Sequence, residues 1–148
     1  MSSGKEKTTF FDRIEFHKAD ETDANNIFLI DEDVNIKFDI VSKEKIDNLN
    51  LSIIVKDSLE APIFSSHHRI SEEMQSKEFF QIDVTIPSET LIASNYTVEP
   101  ILHVPNSRFV DKISTSLSFS IEDNGSAHSE YHNADLGKVI VPILWHES

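Results

Sequence analysis

The chain of 148 residues contains no cysteine. That excludes a disulfide framework, thiolate zinc ligation and a cysteine nucleophile. Glycine is almost as scarce, with three in all. A phosphate-binding loop needs two glycines five residues apart, followed by Lys and then Ser or Thr. Gly137 does precede Lys138, but His132 holds the earlier place and Val139 the later one. The dinucleotide fingerprint and the nucleophile elbow fail on the same scarcity. An ATPase, a Rossmann enzyme and an α/β-hydrolase are therefore not expected within this sequence.

Basic residues are also short, 13 against 26 acidic ones, for a net charge of −13. Such a chain repels nucleic acid and anionic lipid at long range, so no nucleic-acid partner is expected. No apolar run reaches the 18 or so residues of a membrane span, so direct membrane insertion is not expected either. The opening Met1-Ser-Ser-Gly-Lys-Glu-Lys lacks the apolar stretch of a secretory signal. Residues 1–9 read as a tail or linker and residues 10–148 as one domain. A domain of this size buries roughly 68–70% of its unfolded surface and needs neither metal nor disulfide to fold. The absence of cysteine fits a cytoplasmic location.

What is present is alternation with a period of two, the mark of half-buried strands. Val34, Ile36, Phe38 and Ile40 alternate with polar neighbours, as do Leu49, Leu51, Ile53 and Val55. Arg13 to His17, Phe80 to Ile86, Tyr96 to Val104 and Leu117 to Ile121 repeat the pattern, and Ile63 to Ile70 does so more weakly. Polar breaks such as Asp57-Ser, Pro105-Asn-Ser and Asp123-Asn-Gly separate them. Seven or eight short strands at this spacing predict an all-β, Ig-like antiparallel β-sandwich, with one helical turn at most in residues 70–78. Tyr96, behind a Ser94-Asn95 turn, is placed as the tyrosine corner of such sandwiches is placed. An ordinary core tyrosine is the alternative.

The last strand, Lys138 to Trp145, differs from the rest. Val139, Val141, Ile143 and Trp145 lie on one face and Ile140 and Leu144 on the other, so both faces are apolar. Pro142 cannot donate to a ladder, which confines the strand to an edge or crossing point. An apolar edge strand requires cover, and a second copy of the chain is the economical cover. Trp145 is expected in dimer or core packing rather than under a sugar.

In order, the chain shows Arg13-Ile-Glu-Phe, Asp31-Glu-Asp, Leu51-x-Ile-x-Val-Lys-Asp57 and Ile63-Phe64. Then follow Ile86-Pro, Asn95-Tyr-Thr-Val98 and a closing Gly137-x-Val-x-Val-Pro-Ile-x-Trp145. Over residues 12–146 this resembles the C-terminal carbohydrate-binding domain (Wzt-C type) of the ATP-binding subunit of bacterial O-antigen ABC transporters. The resemblance implies an Ig-like sandwich and a homodimer with exchanged C-terminal strands. It implies recognition of the modified non-reducing end of an O-polysaccharide, coupling chain completion to export in lipopolysaccharide biosynthesis. The partners so implied are the glycan terminus, an ATPase domain and a transporter permease. The place implied is the cytoplasmic face of the bacterial inner membrane. No catalytic role and no cofactor follow.

The residues themselves offer one candidate glycan face. By strand parity Ser52 and Ile54, Glu99, Ile101 and His103, and Ser116 and Ser118 point away from the core, and His67 and Arg69 extend the row. Hydroxyls and His103 offer hydrogen bonds, while Ile54 and Ile101 offer apolar surface to ring faces. His67 and His68 are adjacent and must face opposite sides. His128 and His132, with Glu130 and Asp135, have a metal-like spacing but sit in loop composition without the H-E-x-x-H pattern, so no metal is expected. No carboxylate pair is set by a motif, so nothing marks a glycosidase. The competing reading is an Ig-like protein–protein adaptor without a sugar site.

Overall fold

A computed structural model of the chain describes residues 8–17, 26–113, 117–123 and 143–147. Ten strands and one helical turn follow in the order β1 (Thr9–His17), β2 (Ile27–Leu29), β3 (Val34–Ser42), β4 (Asn50–Lys56), β5 (Pro62–Arg69), α1 (Glu72–Gln75), β6 (Phe79–Ile86), β7 (Ser94–Val104), β8 (Arg108–Lys112), β9 (Leu117–Glu122) and β10 (Leu144–Glu147). They form two sheets. One has the order β1-β3-β6-β10; the other runs β2-β9-β7-β4-β5, with β8 also on β7. All pairings are antiparallel except β2 with β9.

The alternation in the sequence becomes the core. In β3, Val34, Ile36, Phe38 and Ile40 stand opposite Ile86, Val84, Ile82 and Phe80 of β6, and all eight are buried. In the facing sheet Leu51, Ile53 and Val55 stand opposite Leu102, Pro100 and Val98. Aromatic rings fill the space between. Phe16 packs on Phe28 and Phe119 with centroids 6.2 and 5.5 Å apart, and Tyr96 stacks on Phe119 at 5.4 Å. Such pairs contribute about 0.5–1.5 kcal/mol each beyond the area they bury.

Tyr96 forms the corner: its Oη donates to the Ile92 carbonyl, four residues upstream, at 2.6 Å. The helical turn expected in residues 70–78 is α1, capped by the Ser71 hydroxyl, which accepts from Met74 N. Gln75, buried in that turn, holds both backbone groups of Ile46 across the molecule.

Two strands exceed the sequence expectation. β2 is an apolar triplet without alternation, and β8 follows the Pro105-Asn-Ser break in a segment to which the alternation assigns no strand. The final strand is the larger departure. Val139, Val141 and the rest of 138–142 lie outside the described residues. The described part, β10, pairs with β6 of its own chain, Trp145 standing opposite Val84. Ile143 and Trp145 pack partly buried against that chain's core. The Trp145 ring stacks on His68 at 5.2 Å and its Nε1 donates to Ser66 Oγ at 2.9 Å. Trp145 is therefore a packing residue, joining an edge of one sheet to an edge of the other. No helix among the described residues is long and apolar enough to cross a membrane.

Candidate functional site

The neighbours expected in the second sheet are neighbours in fact: β9, β7, β4 and β5 lie side by side. Their outward positions form cross-strand rows. Arg69, Asn50, His103 and Phe109 make one row across β5, β4, β7 and β8. His67, Ser52, Ile101 and Lys112 make the next, and Ser65, Ile54 and Glu99 the third. The face thus gathers His67, Arg69, Ser52, Ile54, Glu99, Ile101 and His103. Ser118 is outward as well, opposite Thr97 in the row next to Ile54 and Glu99, but six residues along β7 from His103 and so about 20 Å from that end of the face. Ser116 lies outside the described residues, as do His128, Glu130, His132 and Asp135. Among the described residues, no group of three or more metal-ligating side chains could hold an ion.

Two residues of the face depart from expectation. Ser52 is 2% exposed and Ile101 8%, although both point outward. Ser52 is covered because Nδ1 of His67 and Nε2 of His103 each lie 2.6 Å from its Oγ. A hydroxyl has one proton. With both rings neutral, it donates to one imidazole and accepts an N–H from the other, and so fixes their orientations. Burial, and then the charge of His67, lower the pKa of His103 below 6.5. Ile101, between Ser52 and Lys112, is too covered to meet a sugar ring. Ile54 remains half-exposed.

Glu99 is the one carboxylate at the described outward positions of β4, β5, β7 and β8; Glu122 lies outward on β9. Lys56 Nζ sits 2.7 Å from its Oε2 and Lys112 Nζ 3.6 Å from its Oε1. The hydrogen bond from Lys56 outweighs burial and keeps the carboxyl below its usual range. No ion pair joins either imidazole to a carboxylate among the described residues. The hydroxyl between them is buried, so the arrangement positions groups rather than arming a nucleophile. His68 faces away, as parity required: its Nε2 lies 2.8 Å from Glu147 Oε2.

The row through His103 ends in a feature that the alternation does not reveal. Val104 accepts a hydrogen bond from Ser107 N at 3.0 Å, closing a turn with Pro105 second and Asn106 third. Asn106 has φ 62°, in the left-handed region that a type II turn needs at that position. The turn sends the chain into β8 and leaves an open depression of about 280 Å³ lined by His103, Val104, Asn106, Ser107, Arg108 and Phe109. That is close to the roughly 300 Å³ at which small-molecule sites begin. The Phe109 ring is 65% exposed, and Lys112 Nζ lies 5.4 Å from its centroid. A further hollow beside Ile30 and Leu91 has room for about 10 Å³, no more than a water. The signal for Phe109 was there to be read: an aromatic two residues after Pro-Asn-Ser, outside any alternating run.

The profile of the Wzt C-terminal domain family matches residues 3–132. The chain belongs to that family. A crystal structure of the C-terminal domain of Wzt superposes with a TM-score of 0.62 at 11% identity, covering 79% of this chain and 75% of that one. A β-glucuronidase of glycoside hydrolase family 2 matches with a TM-score of 0.53 at 11% identity, over 77% of this chain but 13% of that one. A Niemann-Pick type C2 protein from Japanese carpenter ant gives 0.51 at 8% identity, over 80% and 96%. At these identities the structures establish a shared sandwich and no more. No curated protein matches the chain significantly. Family membership confirms the resemblance read from the sequence.

Proposed function

We propose that this Wzt C-terminal domain is a non-catalytic carbohydrate-binding module. It recognises the modified non-reducing end of an O-polysaccharide and passes the finished chain to an ABC transporter on the cytoplasmic side of the inner membrane. The glycan lies across the outward face of β4, β5, β7 and β8. The observation that carries this reading is the row Arg69–Asn50–His103–Phe109, in which Arg69 and His103 flank a buried Asn50 bonded to Asn48 and lead to an exposed aromatic beside a depression. Sugars require that mixture: hydroxyls take directed hydrogen bonds, and C–H faces take aromatic or apolar surface.

Each neutral hydrogen bond contributes about 0.5–1.5 kcal/mol net, so a shallow site needs several at once. His103→Ala and Glu99→Ala are each expected to weaken binding about tenfold, near 1.4 kcal/mol. Melting temperatures should change little, because these positions lie outside the core. Calorimetry against O-polysaccharides, with melting curves on the same samples, tests this. Normal binding by both variants, together with loss of binding on change at a remote surface, refutes the face assignment. EDTA should leave the affinity unchanged; a loss on chelation, restored by Ca²⁺ or Zn²⁺, would contradict a metal-free site.

A further inference from the structure

We infer that the depression at the β7–β8 turn takes an anionic sugar residue, one carrying a carboxylate or a phosphate, with Arg108 holding the charge and Phe109 the ring. The inference rests on the carbohydrate-binding reading and adds the chemical class of the group bound.

The distribution of charge carries it. The chain as a whole is at −13, with 26 acidic residues against 13 basic ones. Yet Arg108 lines the depression, Lys112 lies against its Phe109 ring, and Arg69 stands on the cross-strand row that leads to it. Glu99 is the one acid at the described outward positions of β4, β5, β7 and β8, and two lysines already neutralise it. None of the six residues lining the depression is acidic. Charges beyond about 8 Å are largely screened at physiological salt, so a bound group senses this local excess more than the net negative charge.

Arg108 and Arg69 make no ion pair among the described residues. An unpaired surface arginine is ordinary. One that lines a depression beside an exposed phenylalanine is placed to act. A guanidinium offers a planar fork of N–H donors that matches a carboxylate or phosphate in two parallel hydrogen bonds. Phe109 offers a flat face for the C–H side of a pyranose. His103, fixed through Ser52, stands beside Phe109 in the register and offers its other ring nitrogen. Asn106 and Ser107 supply neutral donors and acceptors for the remaining hydroxyls. A neutral sugar would use Phe109, His103 and the turn, and would leave Arg108 idle.

The test uses the full chain, ¹⁵N-labelled, titrated with glucose, glucuronate, glucose 6-phosphate and inorganic phosphate, and followed by amide shifts. Glucuronate or glucose 6-phosphate should bind at least about tenfold more tightly than glucose, as charge-assisted hydrogen bonds predict. The shifts should centre on residues 103–112, and the preference should fade in 0.5 M salt, a concentration chosen to shorten screening well below 8 Å. The two acidic sugars separate carboxylate from phosphate. Arg108→Gln should bring both down to the affinity of glucose, whereas Phe109→Ala should weaken charged and neutral sugars alike. Equal affinity for glucose and the acidic sugars overturns the inference and leaves the carbohydrate reading standing. Inorganic phosphate binding as tightly as glucose 6-phosphate also overturns it, since the sugar ring would then contribute nothing. Silence toward every sugar here and toward O-polysaccharides in calorimetry defeats both.

Discussion

Tyr96 shows how much one side chain can fix. Its ring stacks on Phe119 inside the core while its hydroxyl reaches back to the Ile92 carbonyl at 2.6 Å. Burial, with a smaller push from Asp57, raises its pKa to about 12 from 10.0. The sign of the consequence follows from proton counting. Between pH 10 and 12 the unfolded chain has lost this proton and the folded chain keeps it, so stability falls as pH rises through that window. At 1.36 kcal/mol per pKa unit, the full loss is about 2–3 kcal/mol. Tyr96→Phe should cost about 1 kcal/mol at neutral pH through the lost hydrogen bond. It should also flatten the alkaline limb of a denaturation profile. An unchanged decline between pH 10 and 12 in the variant would assign that limb to other groups.

Single residues also mark where legibility ended. Parity placed Ser52, His67 and His103 on one face without error, because a strand leaves no choice of side. It could not say that Ser52 would lie beneath two imidazoles. That depends on long side chains from β5 and β7 converging on one short one, a relation of three strands whose order the alternation does not encode.

At the scale of elements, β3, β4, β6, β7 and β9 were legible because large apolar residues recur at every second position. β2 was not, since Ile27, Phe28 and Leu29 are consecutive apolar residues, and only Phe28 is buried. β8 was hidden by charge: Arg108 and Lys112 are exposed, and its one buried charge, Asp111, accepts from Phe11 N across the sandwich at 2.9 Å. Hidden with β8 was the wall of the depression, and with it Arg108 and Phe109. The type II turn was written in Pro105-Asn106, but a turn announces a reversal and not what the returning strand displays.

The seams between elements set a pH dependence. Burial alone would raise the Glu147 carboxyl, but hydrogen bonds from His68 and Ser71 outweigh it and hold it below 4.5. Glu99 is lowered as well, by Lys56, and His103 is lowered below 6.5 by its burial. Each folded-state value lies below the unfolded one, so each contribution is fully present above the unfolded value and is lost as pH falls through the folded one. Denaturation midpoints should hold above pH 6.5, decline once as His103 titrates, and decline again below pH 4.5. His103→Gln should remove the first step and leave the second, while Glu147→Gln should shrink the second alone. A first step that survives in His103→Gln would show that another group causes it.

At the scale of the whole molecule, the question is what the last strand closes. β10 fills the β6 edge of its own chain, in a register that sets Trp145 opposite Val84 and Glu147 opposite Ile82. The apolar run from Val139 to Trp145 is nonetheless two-sided, and an exchanged homodimer would use it. Exchange needs no new contact at that edge, because a second copy's strand can occupy the same register while the chain crosses ahead of it. Either way the β6 edge must not stay open, since a bare apolar edge recruits strands from other molecules. A chain ending after Gly137 loses β10, with the Trp145–His68 stack and the Glu147 bonds that tie the two sheets together. Light scattering should find the full chain at twice its 16.8 kDa and the shortened chain as monomer or aggregate. A full chain at single mass would show that β10 closes its own sheet in solution. A shortened chain that stays a soluble dimer would place the contact between copies on another surface altogether.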